Sequence, residues 1–395
     1  MTIYQQSVVE ENYTFMEGDW DYQIISESGL RQERETWSNV DTCDNLFNFS
    51  ERSLTIDREI VKEIHQFIPS IYQEVRHQNL KFSYKMLLHN EKLAIDTKYD
   101  DRSYGFTRVV ISDGANNAYM DDITLVNDHK FDLKEEIQKT VTANLNAAKL
   151  KSTSHFEHVH FDHKSLIFSN QAIGYFIHEI LGHMLESDFY TGFKVISDDI
   201  KISKKLTVTD GVKGLEGIIG LNTYDDMGEE IEEVVLVCDG KIKNILADKK
   251  EDSFDHKLYG VSRRSDYHFT VMPRMRGTVI QPFDPLCQEE IIAKYREAIF
   301  IEKVYVGNVD PATGNYQLFG NGLVVCNGEL SSERILNLKI SGNILEDLDR
   351  FEYIGNDVNV TGSFCGKLDQ MVRVASGGPT ASLVNMNMEG DVYRV

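Results

Sequence analysis

The segment SNQAIGYFIHEILGHMLESD gathers His178, Glu179, His183, Glu186 and Asp188 into one short, otherwise apolar run. A hydrolytic metal site needs neutral imidazoles to hold an ion such as Zn2+. It also needs a nearby carboxylate to take a proton from water that the ion has acidified. His178 and His183 supply the imidazoles and Glu179 the base. Their spacing is H-E-x-x-x-H, one residue longer than the H-E-x-x-H whose histidines stack at i and i+4. Five residues of a regular α-helix turn through about 500°, leaving the two rings roughly 140° apart. A shared ion therefore requires either a π-bulge, which brings i and i+5 toward alignment, or a helix that loosens or ends at Gly182. Spacing alone is equally compatible with a chance pair, one histidine capping and the other exposed.

The element that must carry these groups is legible. Ser169 or Asn170 can cap a helix whose Ile173, Phe176, Ile177, Ile180 and Met184 form an apolar stripe at three- and four-residue spacing. Upstream, residues 1 to about 50 read as short strands and turns. Residues 56 to 78 read as a helix that Pro69 should kink or break. Strands are expected near Lys81–Leu88 and Thr107–Ile111. Asp132 followed by Glu135 resembles a capping box for a helix ending near Leu150. Downstream, Asp239-Gly240 and Asn327-Gly328 read as hairpin turns, and helices are expected at Pro285–Ala298 and Asn343–Arg350. The polar run KSTSHFEH marks a boundary, which gives an N-terminal α+β domain at 1–152 and a C-terminal domain at 153–395. The fold class expected is α+β: a mixed N-terminal α/β region, then a glycine-rich, mostly antiparallel β domain carrying the metal-binding helix.

Composition narrows the function. The chain has 395 residues, 41 Lys plus Arg against 63 Asp plus Glu, and a net charge of −22, which repels nucleic acid and anionic lipid. No apolar run is long enough to span a bilayer, and the start lacks the n- and h-regions of a signal peptide. A cytoplasmic location is expected, with neither nucleic acid nor membrane as partner. Five scattered cysteines, Cys43, Cys238, Cys287, Cys326 and Cys365, fit free thiols or one thiolate ligand better than a disulfide framework.

HEILGHMLESD resembles the H-E-x-x-G-H-x-x-E-x-D signature of the TldD branch of the TldD/PmbA metallopeptidase family. YDDMGEE, VMPRMRGTVIQP and GSFCGKLDQMVRVASGGPTASL resemble three further family elements in the same order, over roughly residues 165 to 385. The resemblance implies Cys365, of the C-G-K element, as third metal ligand. It further implies a zinc-dependent peptidase acting on unfolded or flexible peptides, including leader or precursor segments of modified peptides, as a homodimer or as a heterodimer with a related subunit. This sequence departs from the family at Gly277, Ser187 and Asp369, and its N-terminal region is shorter than usual and matches poorly. Two other readings stand beside the peptidase: a metal-dependent tailoring enzyme of a peptide natural-product pathway, and a non-catalytic partner subunit.

Three constellations remain. Arg274 and Arg276 could hold a substrate carboxylate or an oxyanion by bidentate hydrogen bonds, or form salt bridges to the abundant acids. His155, His158, His160 and His163 lie close together, and strand alternation would put His158 and His160 on one face. That face could be a second metal site, but a solvated strand edge or linker is the preferred reading, since spacing names no carboxylate or cysteine partner. The acids Asp225, Asp226, Glu229, Glu230, Glu232 and Glu233 read as a charged surface turn.

Overall fold

The computed structural model describes residues 3–32, 58–95, 98–113, 118–125, 132–153, 155–196, 200–219, 223–248 and 260–394. Cys43 and part of the expected strand region before residue 50 lie outside these residues. The first half comprises β1 (Ile3–Met16), β2 (Asp19–Gln32), α1 (Arg58–Arg76), β3 (Lys81–Ile95), β4 (Lys98–Ser112), β5 (Ala118–Leu125) and α2 (Leu133–Thr153). Its strands form an antiparallel sheet in the order β2-β1-β3-β4-β5. Ile64, Ile68 and Ile71 of α1 share a buried cluster with Ile137 and Val141 of α2 and with Phe82, Tyr84, Met86, Val109 and Ile111 of the sheet. Pro69 does not break α1; it lies within the continuous helix. Asp132 caps α2 by accepting from the backbone N–H groups of Lys134 and Glu135 at 3.0 and 3.1 Å.

The second half runs β6 (Phe156–Phe168), α3 (Ile173–Ile177), α4 (Ser187–Phe193), β7 (Val208–Asp210), α5 (Glu216–Ile219), β8 (Val234–Cys238), β9 (Lys241–Ile242), β10 (Ser262–Arg263), β11 (Met272–Pro273) and β12 (Gly277–Ile280). It continues with α6 (Gln288–Ile292), β13 (Glu297–Val309), β14 (Asn315–Cys326), β15 (Glu329–Asn343), α7 (Ile344–Asp347), β16 (Phe351–Ile354), β17 (Asn359–Lys367), β18 (Gln370–Gly378) and β19 (Ala381–Tyr393). One sheet has the order β15-β14-β13-β6-β19-β16, and β15 also pairs with β19, so that five of its strands close on themselves. A second sheet has the order β17-β18-β12-β7-β8-β9. Among the described strands only β12–β18 and β13–β6 pair in parallel, which makes the architecture α+β with mostly antiparallel sheets.

Asp239-Gly240 and Asn327-Gly328 close hairpins with both residues of each pair in the left-handed region, as a two-residue type I′ turn requires. The helix expected over Pro285–Ala298 stops after Ile292. The chain then enters β13, where Ala298, Ile299, Phe300 and Ile301 are buried; sheet burial overrides local helical period. The two halves meet through Arg102 of β4, whose Nη1 donates to Asp226 Oδ1 and Nη2 to the Tyr224 carbonyl, both at 2.6 Å. No helix among the described residues is long and apolar enough to cross a membrane.

Candidate metal centre

The stripe Ile173, Phe176, Ile177, Ile180 and Met184 is buried in the core shared by the closed sheet and the second sheet. This anchors the helix and fixes which way its remaining side chains point. After α3 the chain does not continue as α-helix. Residues His178–Gly182 wind as a π-helical turn, followed by a 3-10 turn over His183–Leu185. The wider turn brings the rings of His178 and His183 to a centroid separation of 4.9 Å, which a regular helix could not achieve at this spacing. Gly182 has a packing reason: a Cβ there would lie 1.9 Å from Met275 Sδ.

Cys365 reaches this turn from β17, held in register opposite Val372 of β18. Its Sγ lies 3.2 Å from His183 Nε2. One donor atom from each of His178, His183 and Cys365 lies within 4.8 Å of the others, and all three residues are buried. Burial would push the Cys365 thiol up, but the charges of His183 and His178 and hydrogen bonds to both bring it well below the ordinary thiol range. The donor set fits Zn2+. Two imidazoles and a thiolate leave the fourth position open, as catalytic zinc requires, and His178 Nδ1 is buried without a hydrogen-bond partner.

A further layer of side chains sets this geometry. His183 Nδ1 donates to Glu186 Oε2 at 3.0 Å, which leaves Nε2 facing the Cys365 sulfur and able to ligate an ion. Glu186 is fully buried; it also accepts from Lys367 Nζ at 2.8 Å and from the Met275 backbone N–H at 3.1 Å. Burial would raise its carboxyl, but His183, then Lys367 and Arg274, bring it down to about 2. Lys367 in turn donates to Asp188 at 2.7 Å. The G-K dipeptide beside Cys365 thus joins the strand that carries the thiol to the helix that carries the imidazoles. In the sequence Glu186 stands only as one of the polar groups of that run, and Lys367 carries no signal of this contact.

Glu179 and His183 line a cavity of about 900 Å³ together with Cys365. Space for the Glu179 side chain is made by Gly307 of β13, where a Cβ would come within 2.7 Å of Glu179 Cγ. A glycine inside the strand run VYVGNV is the one sequence signal of that approach. The cavity also takes residues from β5, among them Asp121, Asp122 and Thr124, so both halves of the chain form its walls.

Two expectations are corrected. Arg274 and Arg276, expected either to hold a substrate carboxylate or oxyanion or to form salt bridges, are 0% and 2% exposed and do not line the cavity, and Arg274 Nε lies 3.9 Å from Glu186 Oε1. Arg274 Nη2 donates to the Cys365 carbonyl at 2.6 Å, and Arg276 Nε donates to the Gly260 carbonyl at 3.2 Å, so both brace the strands behind the ligands. Asp225 and Asp226 are buried rather than part of a surface turn. Asp225 accepts from the backbone of Met227, Glu229 and Ser262, and Asp226 pairs with Arg102; Glu229, Glu230 and Glu233 are the exposed members.

Residues 163–390 match the family model described as the PmbA/TldA metallopeptidase C-terminal domain. A metalloprotease of Methanothermobacter thermautotrophicus is 29% identical over 237 residues, 57% of this chain and 50% of its own. The zinc metalloprotease TldD homolog of Saccharolobus solfataricus is 27% identical over 236 residues, 58% of this chain and 52% of its own. The match thus spans about half the length of these curated relatives. The fold likeness reaches further: TldE from Thermococcus kodakarensis superposes with a TM-score of 0.66 at 12% identity, covering 98% of this chain and 96% of that one. The fold likeness therefore takes in the N-terminal half as well as the residues that the family model matches. With the signature elements in order and the family model matching more than half of the chain, this chain belongs to the TldD/PmbA family of metallopeptidases.

Proposed function

We propose that this chain is a zinc-dependent peptidase that hydrolyses unfolded or flexible peptides, with leader or precursor segments of modified peptides as the substrate class. The observation that carries the reading is Glu179, which lines the same cavity as two of the three clustered donors. Zn2+ held by His178, His183 and Cys365 would supply Lewis-acid polarisation of the scissile carbonyl and acidification of water. Glu179 takes the proton of the attacking water and returns it to the departing amine nitrogen. Glu186 and Lys367 keep His183 in the tautomer and orientation this requires.

Two strand edges along the cavity suit an extended peptide. β13 pairs with β6 only at Ile299–Ile301, which leaves Lys303–Val309 bonded to β14 alone. β17 pairs only with β18 among the described strands. Backbone groups on such edges bind a peptide by strand addition without reading its sequence. Exposed Met120, Val306, Leu368 and Met371 at the cavity offer apolar surface to its side chains or to a partner subunit, consistent with a homodimer or a heterodimer with a related chain. The described cysteines are free, which suits a reducing, cytoplasmic setting.

The test is Glu179→Gln. The amide cannot accept the proton while the ligands are untouched, so turnover of an unstructured peptide falls by roughly 10²–10⁴-fold with zinc content unchanged. Cleavage near the parent rate would remove Glu179 as the base.

A further inference from the structure

His158 and His160, neither of which lines the cavity, meet partners that their own segment could not name. His158 and His160 stand two residues apart on β6 and so share a face. The antiparallel register with β19 places Asp391 opposite His158 and Glu389 opposite His160. His158 Nδ1 lies 2.8 Å from Asp391 Oδ1, and His160 Nδ1 lies 3.1 Å from Glu389 Oε2. One donor atom from each of His158, His160 and Glu389 falls within 4.8 Å of the others, and the two rings are 5.2 Å apart, centroid to centroid.

We propose that His158, His160 and Glu389 form a second site, for a zinc-like divalent transition metal, that clips β6 to β19. Imidazole and carboxylate donors suit such an ion, and solvent can complete the coordination at an exposed position. Asp391, only 12% exposed at its side chain, acts as a positioning residue. Its other oxygen accepts from Asn337 at 2.6 Å, so it is held in place to fix the tautomer and orientation of His158. Lys339 donates to Glu389 Oε1 at 3.0 Å, which leaves Oε2 for the ion. The overall charge of −22 favours cation uptake. This site does not depend on the peptidase assignment, since it shares no residue with the buried cluster.

The experiment is zinc stoichiometry by equilibrium dialysis of the full chain, with the melting temperature followed in parallel, for the parent, His158→Ala/His160→Ala, Cys365→Ser and Asp391→Asn. The parent should bind two ions, and the double-histidine variant should lose the weaker one along with the zinc-induced rise in melting temperature. Cys365→Ser should keep that weaker ion, and Asp391→Asn should weaken it by roughly 10–100-fold. After cobalt substitution, the ion retained by Cys365→Ser should show no sulfur charge-transfer band. A double-histidine variant that binds as many ions as the parent overturns the proposal, whether the parent binds one ion or two. Failure of the peptidase reading would show instead as a Cys365→Ser variant with the parent's full zinc content, or as a zinc-loaded parent that cleaves no peptide.

Discussion

Two histidine pairs in this chain meet potential metal ligands in opposite ways. His178 and His183 are five residues apart on a helix that must distort to align them, and they are buried against Cys365 and Glu186. His158 and His160 are two apart on a strand, aligned by ordinary alternation, and their side chains are 49% and 68% exposed. Local spacing favours the second pair; the surroundings favour the first. A buried imidazole has no water to fall back on, whereas an exposed one exchanges solvent and ion pairs for the metal. Pre-organisation by surrounding side chains, more than sequence spacing, separates a tight site from a weak one.

The sharpest way to break this contrast is to loosen the buried pair without touching a ligand. Glu186→Gln keeps an acceptor near His183 but removes the charge that Lys367 and Arg274 also face. Zinc affinity at the buried site should fall by roughly 10–100-fold, measured by competition with a chelator of known affinity. Unchanged affinity would mean that burial alone holds the site. A smaller effect is expected from Gly307→Ala, which leaves the ligands alone and crowds Glu179. The peptidase rate should drop by about tenfold or more while bound zinc stays constant, since small misplacements of a base carry large rate costs. A full rate would show that Glu179 has room to move aside.

The smallest effect concerns the hairpin that presents Cys365. Leu368 and Asp369 both lie in the left-handed region, with φ of 47° and 63°, in the turn where the family pattern carries glycine at the second position. Asp369→Gly relieves one strained residue but adds freedom to the unfolded chain, so a gain of less than about 1 kcal/mol is expected in denaturant titration. A loss of stability would point to a contact made by the aspartate side chain.

The sequence carried the helix, its apolar stripe, the two Asx-Gly hairpins and the grouping of His178, Glu179 and His183, because each is written within one segment. The five-residue spacing even required the distorted turn. Cys365 was reachable only through resemblance, since 182 residues separate it from His183 and nothing local links them. The Glu186–Lys367–Met275 contacts, the space Gly307 leaves for Glu179, and the pairing of His158 with Asp391 all join distant strands, so no window of sequence contains both partners. Arg274 and Arg276 misled for the same reason: charge suggested a ligand-binding surface, while the fold buried both behind Cys365.

The central claim is that Cys365 completes a zinc site on which peptide hydrolysis depends. Zinc content after dialysis, with the cleavage rate of an unstructured peptide, should be measured for Cys365→Ser beside Cys326→Ser, whose cysteine is exposed. The account predicts that Cys365→Ser alone loses the tightly held ion and cleavage with it, because a serine hydroxyl is a poor replacement for a thiolate. Full zinc retention and full activity in Cys365→Ser would contradict it.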